Sequence, residues 1–358
     1  MDFDLSDEQK MLGEQARGLL AERTPFDHLR GLIDGGAEWD EPLWRELASM
    51  GFLGAAIPEE FGGLGMGALE LAVIQQELGR VNACLPFFSS IVLAADAIRL
   101  AGSDAQKAQW LPKLASGELV ACFASAEGAG PVMGQGVRFE NGTILGTKHP
   151  VSDAGVASLA VVQVGDRLAL GPLDQAGVTR TKLASFDQLR PHYRLDFDGA
   201  TAELMPGLGI IPMLLDRAAV QAAFEAVGAS EACLAMGLAY VKERQMFGRP
   251  LSSYQAIKHK LADVATSIEI AKSNAYFGGW AADASADELP AAAAAARLSA
   301  IKAFEMAARE NLQVHGGIGY TFEANCHFYY RRERLLAVHL GNRGVWADRL
   351  IEATAKAA

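Results

Sequence analysis

Basic charge is what this chain has too little of. Lys and Arg number 32 against 43 Asp and Glu, so its 358 residues carry a net charge of -11. Nucleic acid and anionic membrane surfaces select basic patches, so neither is an expected partner. A local arginine site for a phosphorylated ligand stays open. Cysteine is scarce too: Cys84, Cys122, Cys233 and Cys326 are far apart and form no CxxC pair. That argues for buried free thiols rather than a disulfide framework or a metal site. No unbroken apolar run reaches the roughly 20 residues that span a bilayer. Met1 to Lys10 carries acids where a secretory signal would carry bases. The expectation is a soluble, cytoplasmic protein without a metal. Hydrophobic residues make up 50% of the chain, enough for a large core and more than one domain.

Three textures follow one another. From Asp2 to about Glu118 the pattern is helical: Ser6 with Gln9 reads as a capping box, and Leu43 to Met50 is a helix stopped by Gly51. Ala68 to Leu78 and Ala105 to Leu114 keep the helical period. Glu60-Phe61-Gly62-Gly63-Leu64-Gly65 is a loop, because glycines this dense are costly in a helix. From Leu119 to about Leu208 the texture is β: a valine-rich run at Val156 to Val164, and Asn141-Gly142 as a hairpin turn between Val137-Arg138-Phe139 and Thr143-Ile144-Leu145. From Ile211 onward the chain is helical again, at Leu214 to Glu243, Ser253 to Phe277 and Ala291 to Leu312, with Ala284 to Pro290 as a polar connection. Helices this long and apolar fit a bundle. The fold class expected is α+β, mostly α. It comprises an N-terminal helical domain (1–118), a small middle β-domain (119–208) and a C-terminal four-helix bundle (209–358).

Two segments carry candidate chemistry. Glu243-Arg244-Gln245-Met246-Phe247-Gly248-Arg249-Pro250-Leu251, followed by Ser253-Tyr254-Gln255, puts an arginine at a helix end, then a turn, then a new helix start. A forked guanidinium beside free N–H groups suits a pyrophosphate. An ordinary helix-turn-helix corner fits the same spacing. Gln313-Val314-His315-Gly316-Gly317-Ile318-Gly319-Tyr320 places paired glycines after a long helix, where a ligand can approach the backbone. A plain helix cap with a loop reads the same way. A Rossmann phosphate loop does not fit, because the strand it requires is missing.

Taken together and in this order, these motifs resemble the acyl-CoA dehydrogenase family over essentially the whole chain. Ile57-Pro58-Glu59-Glu60-Phe61-Gly62-Gly63-Leu64-Gly65 and Asn141-Gly142 to Gly146-Thr147-Lys148 support the resemblance. It implies FAD as cofactor, an acyl-CoA substrate, and α,β-desaturation. In that reaction a carboxylate takes the α-proton and the β-hydrogen leaves as hydride to the flavin. It also implies an oligomer with FAD across a dimer interface, and an electron acceptor that the sequence does not identify. Arg244, Gln255 and the stretch Gln313, Val314, His315, Gly316 and Gly317 would hold the adenine and pyrophosphate end of the neighbouring subunit's FAD.

The departures concern the chemistry. The family's base position, an acid before Gly-Thr downstream of an Arg-Asp pair, falls on Leu340 in Arg331-Arg332-Glu333-Arg334-Leu335-Leu336-Ala337-Val338-His339-Leu340-Gly341-Asn342. Its alternative site falls on Ala218, so no catalytic base is assigned. Thr-Glu-Pro-x-Ala-Gly-Ser-Asp becomes Ser125-Ala126-Glu127-Gly128-Ala129-Gly130-Pro131-Val132, and Trp-Ile-Thr becomes Pro150-Val151-Ser152. Ser125 and Ser152 keep hydroxyls for a flavin ring. Asp216, Glu225 and His339 lie near the two base positions as candidate replacement bases; Asp216 and Glu225 read most simply as helix-surface or interface charges, and His339 as a structural residue. The chain resembles the base-lacking subunit of bacterial heteromeric, steroid-CoA-type members of the family, a heterotetramer of unequal subunits. The alternatives are a homo-oligomeric enzyme with a relocated base, and a catalytically dead scaffold.

Overall fold

The computed structural model describes residues 5–128 and 136–357. Helices come first: α1 (Asp7–Arg23), α2 (Phe26–Asp34), α3 (Glu41–Ser49), α4 (Ala68–Arg80), α5 (Asp96–Ala101) and α6 (Asp104–Ala115). The capping box at Ser6 forms, with Gln9 N donating to Ser6 Oγ at 3.1 Å and Ser6 N to Gln9 Oε1 at 2.9 Å. Asp40 caps α3 and Gly51, at φ +79, ends it. Phe88–Ala95 is a wholly buried π-helical stretch that no sequence signal announces.

Strands follow: β1 (Ala121–Ala124), β2 (Arg138–Glu140), β3 (Thr143–Ser152), β4 (Leu159–Val164), β5 (Arg167–Pro172), β6 (Val178–Leu183), β7 (His192–Thr201) and β8 (Glu203–Leu204). They form two four-stranded sheets, ordered β1-β4-β5-β8 and β2-β3-β7-β6. Asn141 and Gly142 sit at φ +50 and +82, the two positive values a tight hairpin turn needs.

The last segment carries α7 (Ile211–Glu243), the small pair β9 (Gln245–Met246) and β10 (Arg249–Pro250), then α8 (Gln255–Ala284), α9 (Leu289–His315), α10 (Cys326–Leu336) and α11 (Arg343–Ala357). Among the described residues that is five helices, where four were expected. The connection expected from Ala284 to Pro290 shrinks, because Leu289 is buried and Pro290 sits in the first turn of α9, where its missing N–H costs nothing. No run of spanning length in α7 is unbroken by charge, though by length and composition the helix is apolar enough to cross a membrane; 61% of its apolar window is buried inside the protein.

The chain divides into two compact units: Met1–Phe26 with Ala68–Ala83 and Ala219–Ala358, and Asp27–Gly67 with Cys84–Ala218. In the first unit α4 crosses α7 backbone to backbone. A Cβ on Gly79 would lie 2.1 Å from the Glu225 carbonyl oxygen, and one on Gly228 would lie 1.9 Å from that of Gln76. Only glycine permits this approach, and it fixes the height at which Glu225 enters the core.

Candidate functional site

The Arg244 and Gln313 motifs both lie in the first unit, where side chains of α7 and α8 pack against the Gln313 segment. Arg244 follows α7, its N–H bonded to the Tyr240 carbonyl at 2.8 Å. The chain then doubles back through β9 and β10, and Leu251 N–H bonds the Arg244 carbonyl at 2.8 Å. Phe247 and Gly248 take φ +51 and +76 at the turn, and Phe247 is 90% exposed. A non-glycine residue there is strained, and the turn is braced: Tyr254 Oη donates to the Met246 carbonyl at 2.8 Å, while the Arg249 guanidinium lies 4.0 Å over the Tyr254 ring. The Tyr240 ring stacks on His315, centroids 4.1 Å apart. Sequence reasoning missed Tyr240; its place one turn before Arg244 was the available signal.

The side chains of Arg244, Gln255 and Gln313 are exposed and have no partner among the described residues. Gly316, at φ +67, and Gly317 border open space: an added Cβ would meet nothing within 4 Å. Free forked and amide donors beside an open glycine ledge fit the phosphate and sugar groups of a dinucleotide. Val314 differs from expectation. Its side chain is 5% exposed and packs with Val241 and Leu261, so only its backbone can face a ligand.

Ser125 and Ser152 belong to the second unit. The Ser125 carbonyl accepts Lys148 Nζ at 3.0 Å, and the buried Lys148 pairs with Glu127 at 2.6 Å. Burial pulls the Lys148 ammonium down, and Glu127 only partly offsets this. Burial pushes the Glu127 carboxyl up, yet Lys148 and the N–H groups of Gly136 and Val137 more than offset it, holding it below its usual range. Ser152 Oγ lies 3.1 Å from His192 Nε2, its cross-strand neighbour. Ala129, Gly130, Pro131 and Val132 of the altered motif lie outside the described residues.

Both base positions are apolar and buried: Ala218 is 0% and Leu340 8% exposed. Leu340 takes φ +61, and its carbonyl accepts Trp346 Nε1 at 3.1 Å. Asp216 and Glu225 are buried rather than on the surface. Glu225 accepts Gln75 Nε2 at 2.8 Å and Arg332 at 3.0 Å. Arg297, also buried, donates to the carbonyls of Leu336 and His339; burial pulls its pKa down to about 10, with Glu225 opposing. His339 is half-buried and its carbonyl is held by Arg297. The four cysteines are buried free thiols, and burial pushes Cys122 up to about 12.

Glu333 was not singled out from the sequence. In the run Arg331 to Arg334 two consecutive charges, Arg332 and Glu333, face inward. Burial pushes the Glu333 carboxyl up to about 7, against the attraction of Arg334. The folded state therefore holds a proton that the unfolded chain releases near its ordinary value of 4.5. Stability falls as pH rises from there to about 7 and stays reduced above. Glu333→Gln is expected to leave stability unchanged near pH 4.5 and to raise it by about 1–3 kcal/mol at pH 8, read as a pH-dependent difference in urea midpoint. Equal midpoints at pH 8 would show that this carboxyl ionises normally.

Comparison with known proteins identifies the class of this helical fold as acyl-CoA-oxidising flavoproteins. Residues 6–118 match the acyl-CoA dehydrogenase N-terminal domain, and residues 206–354 the acyl-CoA dehydrogenase C-terminal domain. Acyl-CoA dehydrogenase IpdE2 of Mycobacterium tuberculosis is 31% identical over 327 residues, 91% of this chain and 91% of that protein. Among solved structures, the Tcur3481-Tcur3483 steroid ACAD G363A variant is similar at TM-score 0.92 and 29% identity, covering 99% of each chain. The ChsE4-ChsE5 complex from Mycobacterium tuberculosis is similar at TM-score 0.91 and 26% identity, again covering 99% of each chain. The chain belongs to the acyl-CoA dehydrogenase family, FAD-dependent oxidoreductases acting on CH–CH groups.

Proposed function

We propose that this chain is the base-lacking subunit of a heteromeric acyl-CoA dehydrogenase, lending FAD contacts to a catalytic partner that acts on a steroid-derived acyl-CoA. The observation that carries this reading is the pair of buried apolar side chains, Leu340 and Ala218, where a carboxylate is needed. The names of two similar solved structures, Tcur3481-Tcur3483 and ChsE4-ChsE5, each pair two proteins, which supports a heteromeric assembly and the steroid substrate class.

When bound, FAD supplies a hydride acceptor for the substrate β-carbon. In this reading the Arg244 guanidinium forks onto the pyrophosphate, and the amides of Gln255 and Gln313 bond its flanks. Gly316 and Gly317 let the dinucleotide lie against the backbone, with the Val314 amide behind them. Ser125 and Ser152 offer hydroxyls to a flavin ring in this subunit, where a proline has replaced the walling tryptophan.

Visible absorption of the purified chain, alone and co-expressed with a homologue carrying the base, tests the reading. Flavin bound only in the co-purified pair supports it. Flavin bound and reducible in the chain alone points to a homo-oligomer with a relocated base, and no flavin in either to a scaffold. Arg244→Ala is expected to weaken FAD retention in the assembled enzyme by about 1.5–3 kcal/mol, roughly ten- to a hundred-fold. Full flavin occupancy after dilution and gel filtration would reduce Arg244 to a surface corner. Light scattering at micromolar concentration is expected to give a dimer or larger; a monomer would remove the shared site.

A further inference from the structure

His315 is held in one orientation by two independent contacts. Its Nδ1 lies 2.7 Å from the Asn311 carbonyl oxygen, which can only accept, so Nδ1 carries a hydrogen. Its ring face is stacked on Tyr240 at 4.1 Å, with the planes inclined by 29°. In the neutral ring the proton on Nδ1 leaves Nε2 as a bare acceptor. Nε2 has no partner among the described residues, and the side chain is partly exposed beside the open glycine ledge. An imidazole fixed at one nitrogen and stacked on one face presents its remaining nitrogen at little entropic cost.

We propose that His315 is a specificity-determining residue of the dinucleotide site, its Nε2 accepting a hydrogen bond from an N–H or O–H of the ligand's adenosine half. The inference rests on the FAD-contact reading above and goes beyond it by assigning chemistry to one atom. A bare acceptor repels phosphate oxygens, so the pyrophosphate falls to Arg244 and the nucleoside to His315. Two groups of an adenosine carry suitable hydrogens, the exocyclic amine and the ribose hydroxyls. Tyr240 is a positioning residue that acts through the imidazole.

The test uses the chain co-purified with its base-carrying homologue and freed of flavin, and three probes: ADP, its hypoxanthine analogue IDP, and 2′-deoxy-ADP, with affinities measured by calorimetry. His315→Phe keeps a ring to stack on Tyr240 and removes the acceptor. It is expected to weaken ADP binding roughly three- to tenfold, while Arg244→Ala weakens all three probes alike. If the amine is the donor, IDP binds the unmodified chain more weakly than ADP does, and His315→Phe removes that difference. If the 2′-hydroxyl is the donor, 2′-deoxy-ADP shows that pattern instead. Nitrogen-15 NMR of histidine-labelled chain, assigned by the signal lost in His315→Phe, is expected to show the neutral ring as the tautomer with hydrogen on Nδ1 and none on Nε2. A neutral ring with its hydrogen on Nε2, or ADP affinity unchanged in His315→Phe, overturns the inference while leaving the FAD-contact reading standing. Failure of the flavin-free pair to bind ADP at all, with Nε2 still a bare acceptor, overturns that reading and this inference with it.

Discussion

Purified without a partner, the chain is expected to oxidise acyl-CoA at no more than background rate. Losing a general base typically costs a hundred- to ten-thousand-fold, and both positions that would hold one carry buried hydrocarbon. Glu225 stands seven residues beyond Ala218 on α7, two turns or about 10 Å along the axis, and its carboxylate is occupied by Gln75 and Arg332. Co-expression with a homologue carrying an acid at either position should restore flavin content and turnover together. Leu340→Glu in this chain should not create a second working site. Arg297 holds the neighbouring His339 carbonyl, and its Nε and second NH group have no acceptor, so a carboxylate at 340 finds a guanidinium beside it. Pairing of that kind lowers basicity. If His339 were the base, the chain alone would bleach its flavin with a suitable acyl-CoA, and His339→Ala would abolish bleaching while FAD stays bound. Anaerobic titration with several acyl-CoAs decides, and bleaching without a partner would refute the base-lacking assignment.

Much of the fold was legible because periodicity and turn chemistry are local. The Ser6 cap, the Asn141-Gly142 turn and the alanine-rich course of α7 to α9 are written in adjacent residues. What was missed depends on distant parts of the chain. The π-helical stretch at Phe88–Ala95 lies in a uniformly buried run with no polar face to mark its period. Gly79 and Gly228 read as weak points in helices until the opposing backbone is seen at each. The site divides in the same way. Arg244 and Gln313 are visible as motifs, whereas Val314 turning inward and Tyr240 supporting His315 follow only from α7 lying beside α9. Asp216 and Glu225 looked like surface charges because sequence shows a carboxylate without its partner.

The Glu225 partner is 107 residues away on α10, and breaking that pair should give the largest stability loss expected of any single substitution here. Both side chains are 1% exposed or less, and Arg332 also donates to the Ala83 carbonyl at 3.4 Å. Removing one member of a buried pair strands the other and typically costs about 3–5 kcal/mol. The two directions are not equivalent. Arg332→Met leaves Glu225 with Gln75 and with the attraction of Arg297, so it should fall at the low end. Glu225→Gln keeps an acceptor for neighbouring donors but removes the charge that Arg332 pairs with and that attracts Arg297, so it should fall at the high end. The double variant Glu225→Gln/Arg332→Met should recover much of the sum, because a neutral amide facing a thioether strands only the charge of Arg297. Urea unfolding of the four proteins closes the cycle. A coupling below about 0.5 kcal/mol, or a Glu225→Gln variant as stable as the parent, would show that this pair does not hold the core together.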